Sequence, residues 1–147
     1  MSTGTTLLID DNENDVALMV RAISEAGLDC EVRIAPDGRA ALDYLGGKGE
    51  FADRANAPFP ELILLDLKLP VVPGIEVLEW IRGQQALSKV VVIVLTGSRD
   101  PVDHNRAYRL GANSIMEKPP TAQKIIDLVQ IFHLWGHSRD KTTNPSA

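Results

Sequence analysis

The sequence predicts an α/β fold, a doubly wound five-stranded parallel sheet with five helices. Three observations carry that expectation. Five short strand-like runs, some continuously apolar and some alternating, interleave with five helical stretches. The third and fourth runs, residues 62–65 and 90–95, are apolar on both faces, as central strands of a parallel sheet must be. Polar residues able to do chemistry collect at the carboxyl ends of the runs, where such sheets carry ligands.

Residues 5–9 form the first strand and end at Asp10 and Asp11. Val16, Met19, Val20 and Ile23 follow at helical spacing, and Gly27 sits where a C-cap belongs. Residues 30–35 are β-rich, and Pro36-Asp37-Gly38 is a turn signal before a short helix to Leu45. Residues 46–60 mix Gly, Pro, Asn and charge, which predicts a surface loop with a mobile tip. The third strand, residues 62–66, ends in Asp66. A helix over 74–84 turns Val77, Leu78 and Ile81 inward. The fourth strand, 90–95, runs into Thr96. Pro101 opens the next helix at a position that tolerates it, and Gly111 closes it. Residues 114–117 form the fifth strand, ending at Lys118-Pro119, and Thr121 caps a last helix to about Trp135. A single domain spans 1–147, with its core over about 5–135 and a flexible tail over 136–147.

Composition narrows the function classes. With 147 residues, 44% hydrophobic and 24% charged, the chain can bury a proper core. The net charge of −5 and the scatter of Lys and Arg argue against nucleic-acid or membrane-surface binding. No apolar run reaches membrane-spanning length, and the start carries no signal-peptide pattern, so a cytoplasmic location is expected. The lone Cys30 is expected to be a buried strand thiol in a reducing compartment. His104, His133 and His137 show no ligand spacing, and Trp80 and Trp135 suit packing or interface roles.

Three carboxylates converging at one sheet edge would repel by several kcal/mol, so either their pKa values rise or a cation sits among them. Mg²⁺ is the expected occupant, since it takes oxygen ligands and uses one or two carboxylates with a phosphoryl oxygen. A carboxylate can attack phosphorus and form an acyl phosphate, with the developing charge met by a metal, an ammonium and a hydroxyl. Asp10, Asp11, Asp66, Thr96 and Lys118 supply those groups, each at a predicted strand end. Singly each would be an N-cap or a solvated side chain; together they predict phosphoryl transfer.

The segments Leu8-Ile9-Asp10-Asp11-Asn12, Leu64-Leu65-Asp66-Leu67-Lys68-Leu69-Pro70 with Gly74, Val94-Leu95-Thr96-Gly97-Ser98, and Lys118-Pro119 resemble the motif set of response-regulator receiver domains. The resemblance covers about residues 5–135 and implies the flavodoxin-like receiver fold, a signalling switch and not a classical enzyme. It implies that Asp66 is the phosphoacceptor, loaded by a sensor histidine kinase. Asp11 would hold Mg²⁺ directly and Asp10 through water, with the Lys68 backbone carbonyl a further ligand. Thr96 and Lys118 would bind phosphoryl oxygens, and the Lys118–Pro119 peptide would be cis. The loop over 47–53, the run 108–114 and the ending 132–135 look like the single-domain regulators that accompany bacterial and cyanobacterial phytochromes. Receivers usually carry Tyr or Phe three residues before the lysine as a rotating reporter; here that position is Ile115.

Rival expectations differ in one residue or one observation. A haloacid-dehalogenase-like phosphatase needs a second aspartate two residues after the nucleophile, and Lys68 stands there. A flavodoxin-like cofactor binder needs small and hydroxyl residues in its first loop, where Asp10-Asp11 would repel phosphate. A pseudo-receiver would lack chemical residues that are present. A stand-alone phosphorelay intermediate or phosphate sink shares all the chemistry of a switch. With only about a dozen residues after the last helix, output is expected through protein contacts. Ile126, Ile131 and Leu134 lie off the docking stripe of that helix, which predicts a homodimer through the C-terminal helix region.

Overall fold

The computed structural model describes residues 4–97 and 99–135. Its strands and helices run β1 (Gly4–Ile9), α1 (Glu13–Ala26), β2 (Cys30–Ala35), α2 (Gly38–Gly46), β3 (Leu62–Asp66), α3 (Gly74–Arg82), β4 (Val91–Thr96), α4 (Pro101–Arg109), β5 (Ser114–Glu117) and α5 (Ala122–Ile131). The strands pair in parallel in the order β2-β1-β3-β4-β5. The expected doubly wound five-stranded sheet is therefore the fold.

Because strand side chains alternate, β1, β3 and β4 feed two cores at once. Leu7, Ile9, Ile63, Leu65, Val92 and Val94 face one side, where Ala41 and Tyr44 of α2, Val77, Leu78 and Ile81 of α3, and Ala107 of α4 close over them. Leu8, Leu62, Leu64, Ile93 and Leu95 face the other, under Met19, Ala22 and Ile23 of α1 and Ile125 and Val129 of α5. Each such Leu or Ile, fully buried, contributes about 1.5–3 kcal/mol of transfer free energy. Helix ends follow local chemistry. The Asn12 and Thr121 side chains accept first-turn N–H groups of α1 and α5, and Gly27 takes φ +70°, the left-handed conformation that ends α1.

Several expectations need correction. Val20 lies off the inward stripe of α1 and is 37% exposed; Ala22 and Ala26 take the buried places instead. The 46–60 segment is a loop, as expected, but it also holds a short 3-10 turn over Gly49–Phe51. Arg54 clasps it, donating to the carbonyls of Tyr44 (2.8 Å), Leu45 (2.8 Å) and Ala57 (3.1 Å) and lying 4.0 Å from the centre of the Phe59 ring. Cys30 is half-buried, not buried, and its thiol is pushed above its ordinary pKa by desolvation.

The last helix ends at Ile131, four residues short of Trp135. His133 takes φ +54° and the Leu134 N–H donates to the Val129 carbonyl at 3.0 Å, so the chain folds back. Leu134 consequently packs against the α1/α5 core, Ile126 does so from within α5, and of the three residues expected to face water only Ile131, at 63%, is exposed. Trp80 and Trp135 are packing residues, on the α3 and α5 sides respectively. The expected tail over 136–147, with His137, lies outside the described residues, as does Ser98.

Candidate functional site

The order β2-β1-β3 puts β1 beside β3, and the helices that follow these two strands leave toward opposite faces. A crevice must open above their carboxyl ends, the topological switch point of the sheet. β1 hands the chain to Asp10, which is 2% exposed and whose N–H donates to the Ala35 carbonyl at 3.2 Å. Asp11, next along, is exposed. The Asn12 N–H donates to Asp10 Oδ1 at 3.0 Å, while Asn12 Oδ1 accepts the Asp15 N–H at 2.9 Å. One residue thus fixes the acidic loop and starts α1.

Asp66 is the last residue of β3 and 6% exposed, and its Oδ1 accepts the Lys68 N–H at 3.0 Å. It pairs in register with Leu95, which places Thr96, 4% exposed, just beyond it at the end of β4. The Lys118 N–H donates to the Thr96 carbonyl at 2.9 Å, so β5 delivers the lysine beside the threonine. The Lys118–Pro119 peptide is cis, as the motif resemblance implied.

The Lys118 ammonium ties these strand ends together. Its Nζ lies 2.8 Å from Asp15 Oδ2, 3.1 Å from Asp10 Oδ2 and 3.2 Å from Asp66 Oδ2. Burial works against its charge, but the hydrogen bonds to Asp15 and Asp10 and the charges of Asp66 and Asp10 outweigh it and hold the ammonium above lysine's usual pKa. Burial pushes the Asp66 carboxyl up, opposed by the Lys68 N–H and the Lys118 charge and reinforced by the charge on Asp10.

Asp10, Asp11 and Asp66 each offer a carboxylate oxygen, all within 4.8 Å of one another. Two like charges at that separation repel by about 3 kcal/mol at an effective dielectric constant near 20. This all-oxygen, strongly anionic donor set fits a hard divalent cation. With Asn12, Asp15, Lys68, Thr96, Gly97 and Lys118, Asp11 and Asp66 line an open cleft of about 320 Å³ above the sheet.

Every site residue expected from the sequence, Asp10, Asp11, Asp66, Lys68, Thr96 and Lys118, stands at this crevice. Asp15 was missed. Its signal was weak but present: a residue in the first turn of a helix points back toward the N-terminus, here toward the acidic pair. Gly74 was noted only as part of a motif, and its packing role is visible only in three dimensions. Ile115 pairs with Val94 on β4 and is half-buried against the α2/α3/α4 core, so no aromatic ring fills the reporter position.

Comparison with known proteins finds relatives of the same fold. A model of the response regulator receiver domain matches residues 6–130. The response regulator Rcp1 of Synechocystis sp. is 36% identical over 124 residues, covering 84% of this chain and 82% of that one. Its Mn²⁺-bound crystal structure superposes with a TM-score of 0.73 at 34% identity, covering 88% of this chain and 91% of that one. The bacteriophytochrome response regulator RtBRR superposes with a TM-score of 0.81 at 34% identity, over 91% of this chain and 80% of that one. The phosphorylated cyanobacterial phytochrome response regulator RcpA gives 0.74 at 31% identity, over 99% and 97%.

Proposed function

The chain belongs to the response regulator receiver domain family, and from that premise we propose that it is a phosphorylation switch that accepts a phosphoryl group on Asp66 from a sensor histidine kinase. The observation that carries this is the convergence on Asp66, which has Lys118 Nζ at 3.2 Å and carboxylates of Asp10 and Asp11 within 4.8 Å.

An Asp66 oxygen attacks the phosphorus of a phosphohistidine. The new P–O bond forms as the P–N bond breaks, and the imidazole leaves with the electron pair and takes up a proton. Lys118 meets one phosphoryl oxygen, and the Thr96 hydroxyl meets another. Asp10, Asp11 and Asp66, with the Lys68 carbonyl, would hold Mg²⁺, which supplies charge neutralisation for the phosphoryl oxygens when bound. Water attack on phosphorus later releases phosphate and restores the carboxylate, resetting the switch.

The kinase is proposed to be of the phytochrome class, because relatives that carry that description match at 31–34% identity over nine-tenths or more of the chain. Output is proposed to run through protein contacts. A homodimer through α5 remains part of the proposal but narrows to a contact centred on Ile131. Displacement of Thr96 toward the phosphoryl group, with repacking around Ile115 and Met116, is the proposed two-state element. Incubation with acetyl phosphate tests the core of the proposal. A base-labile phosphoryl adduct forms with Mg²⁺ and not with chelator; equal labelling in both, or none in either, contradicts it.

A further inference from the structure

Asp15 makes the shortest of the three contacts to Lys118, at 2.8 Å. It is nevertheless not one of the three aspartates whose oxygens can meet on one cation. Its place is fixed from two sides. Its N–H is held by the Asn12 side chain, and the Asn12 N–H is held by Asp10. The amino-terminal turn of α1 also favours a carboxylate there.

An ammonium has three donors, and here each faces a carboxylate. During phosphoryl transfer two of those partners change. An Asp66 oxygen becomes bonded to phosphorus, and the negative charge of Asp10 is shared with a dication that repels the ammonium. Asp15 is the partner that does not change. We infer that Asp15 is a positioning residue: its carboxylate is the metal-independent counter-ion that keeps the Lys118 ammonium over Asp66 once a divalent cation occupies the acidic pair. This rests on the receiver reading proposed above and assigns a part in it to a residue outside the motif set.

The test is a double-mutant cycle on the initial rate of phosphate uptake from acetyl phosphate at saturating Mg²⁺, followed by intact mass. Asp15→Ala slows uptake about tenfold when Lys118 is present, the size a charge-assisted hydrogen bond commonly carries. In the Lys118→Met background the same change costs less than about twofold, because the group it acts through is gone. Asp15→Glu restores most of the rate, and helix content is unchanged in all variants because the Asn12 cap remains.

An equal loss in both backgrounds, no loss, or a faster rate for Asp15→Ala overturns the inference. Should Lys118→Met be too slow to time, the nitrogen-15 resonance of the Lys118 side chain decides. It is protected from solvent exchange in Mg²⁺-loaded wild type and loses protection in Asp15→Ala; equal protection overturns the role. A wild type that takes up no phosphate at all contradicts the receiver reading, a different outcome from a wild type that does so without coupling between Asp15 and Lys118.

Discussion

Gly74, the first residue of α3, packs directly against the main-chain carbonyl of Asp66, so closely that a β-carbon there would overlap it and the Leu67 backbone. The Gly74 N–H also donates to the Leu67 carbonyl at 3.1 Å, so the turn after Asp66 is locked to the start of the helix. Backbone atoms cannot yield as a flexible side chain would. Gly74→Ala is therefore expected to cost about 2 kcal/mol or more, as overlaps in a packed interior do. It is also expected to slow phosphoryl uptake by displacing Asp66. Denaturant unfolding together with the uptake rate checks both; wild-type stability contradicts the packing account.

Asp10 and Asp11 are adjacent but should respond with opposite signs. Asp10 is 2% exposed and satisfies both the Asn12 N–H and Lys118. Asp10→Ala orphans those donors and should lower metal-free stability by about 1–3 kcal/mol. Asp11 is exposed, and its removal relieves repulsion, so Asp11→Ala should leave the metal-free melting temperature equal or slightly higher. Both should weaken Mg²⁺ binding far more than Asp43→Ala does. Calorimetric titration and thermal melts with and without Mg²⁺ check this, and unchanged Mg²⁺ affinity in Asp11→Ala contradicts the ligand role.

Val71, in the loop between Asp66 and α3, takes φ +69° with its side chain 82% exposed. A β-branched residue pays for that conformation and gains no burial in return. Val71→Gly should stabilise the fold by about 1 kcal/mol, a rise of roughly 3–5 °C in Tm, with phosphoryl uptake unchanged. A melt shows it directly, and a lower Tm contradicts the strain argument.

Ile131 and Leu134 separate association from folding. Ile131 is 63% exposed, whereas Leu134 packs against the α1/α5 core. Ile131→Glu should abolish any α5-centred dimer while changing stability by less than about 0.5 kcal/mol. Leu134→Glu should destabilise the monomer itself. Light scattering at micromolar concentration, with unfolding curves, distinguishes them; a dimer that survives Ile131→Glu contradicts the narrowed contact.

The strands were legible because their patterns are local: Leu62 to Leu65, a short apolar run set between Pro60 and Pro70, has the length of a strand and not of a helix, and it is buried on both faces. The acidic pair, Asp66, Thr96 and Lys118 were legible because each stands at the end of a strand-like run, and parallel order sends all those ends to one edge. The end of α5 was not. Phe132 and Trp135 continue the inward stripe of α5 whether the chain stays helical or folds back, whereas Leu134 reaches the core through the fold-back, which a helical pattern does not record. The Arg54 clasp was hidden for another reason. Its partners are main-chain carbonyls of Tyr44, Leu45 and Ala57, which no side-chain pattern records. Asp15 resembled any first-turn acid until Lys118 arrived from the far end of the chain.

The central claim is that Asp66 is the one residue that carries the phosphoryl group. Wild type and Asp66→Asn are incubated with acetyl phosphate and Mg²⁺, and intact mass is followed before and after mild base. Wild type should gain a single phosphoryl group that base removes, and Asp66→Asn should gain none while keeping its fold. Undiminished labelling of Asp66→Asn would place the chemistry elsewhere and contradict the account.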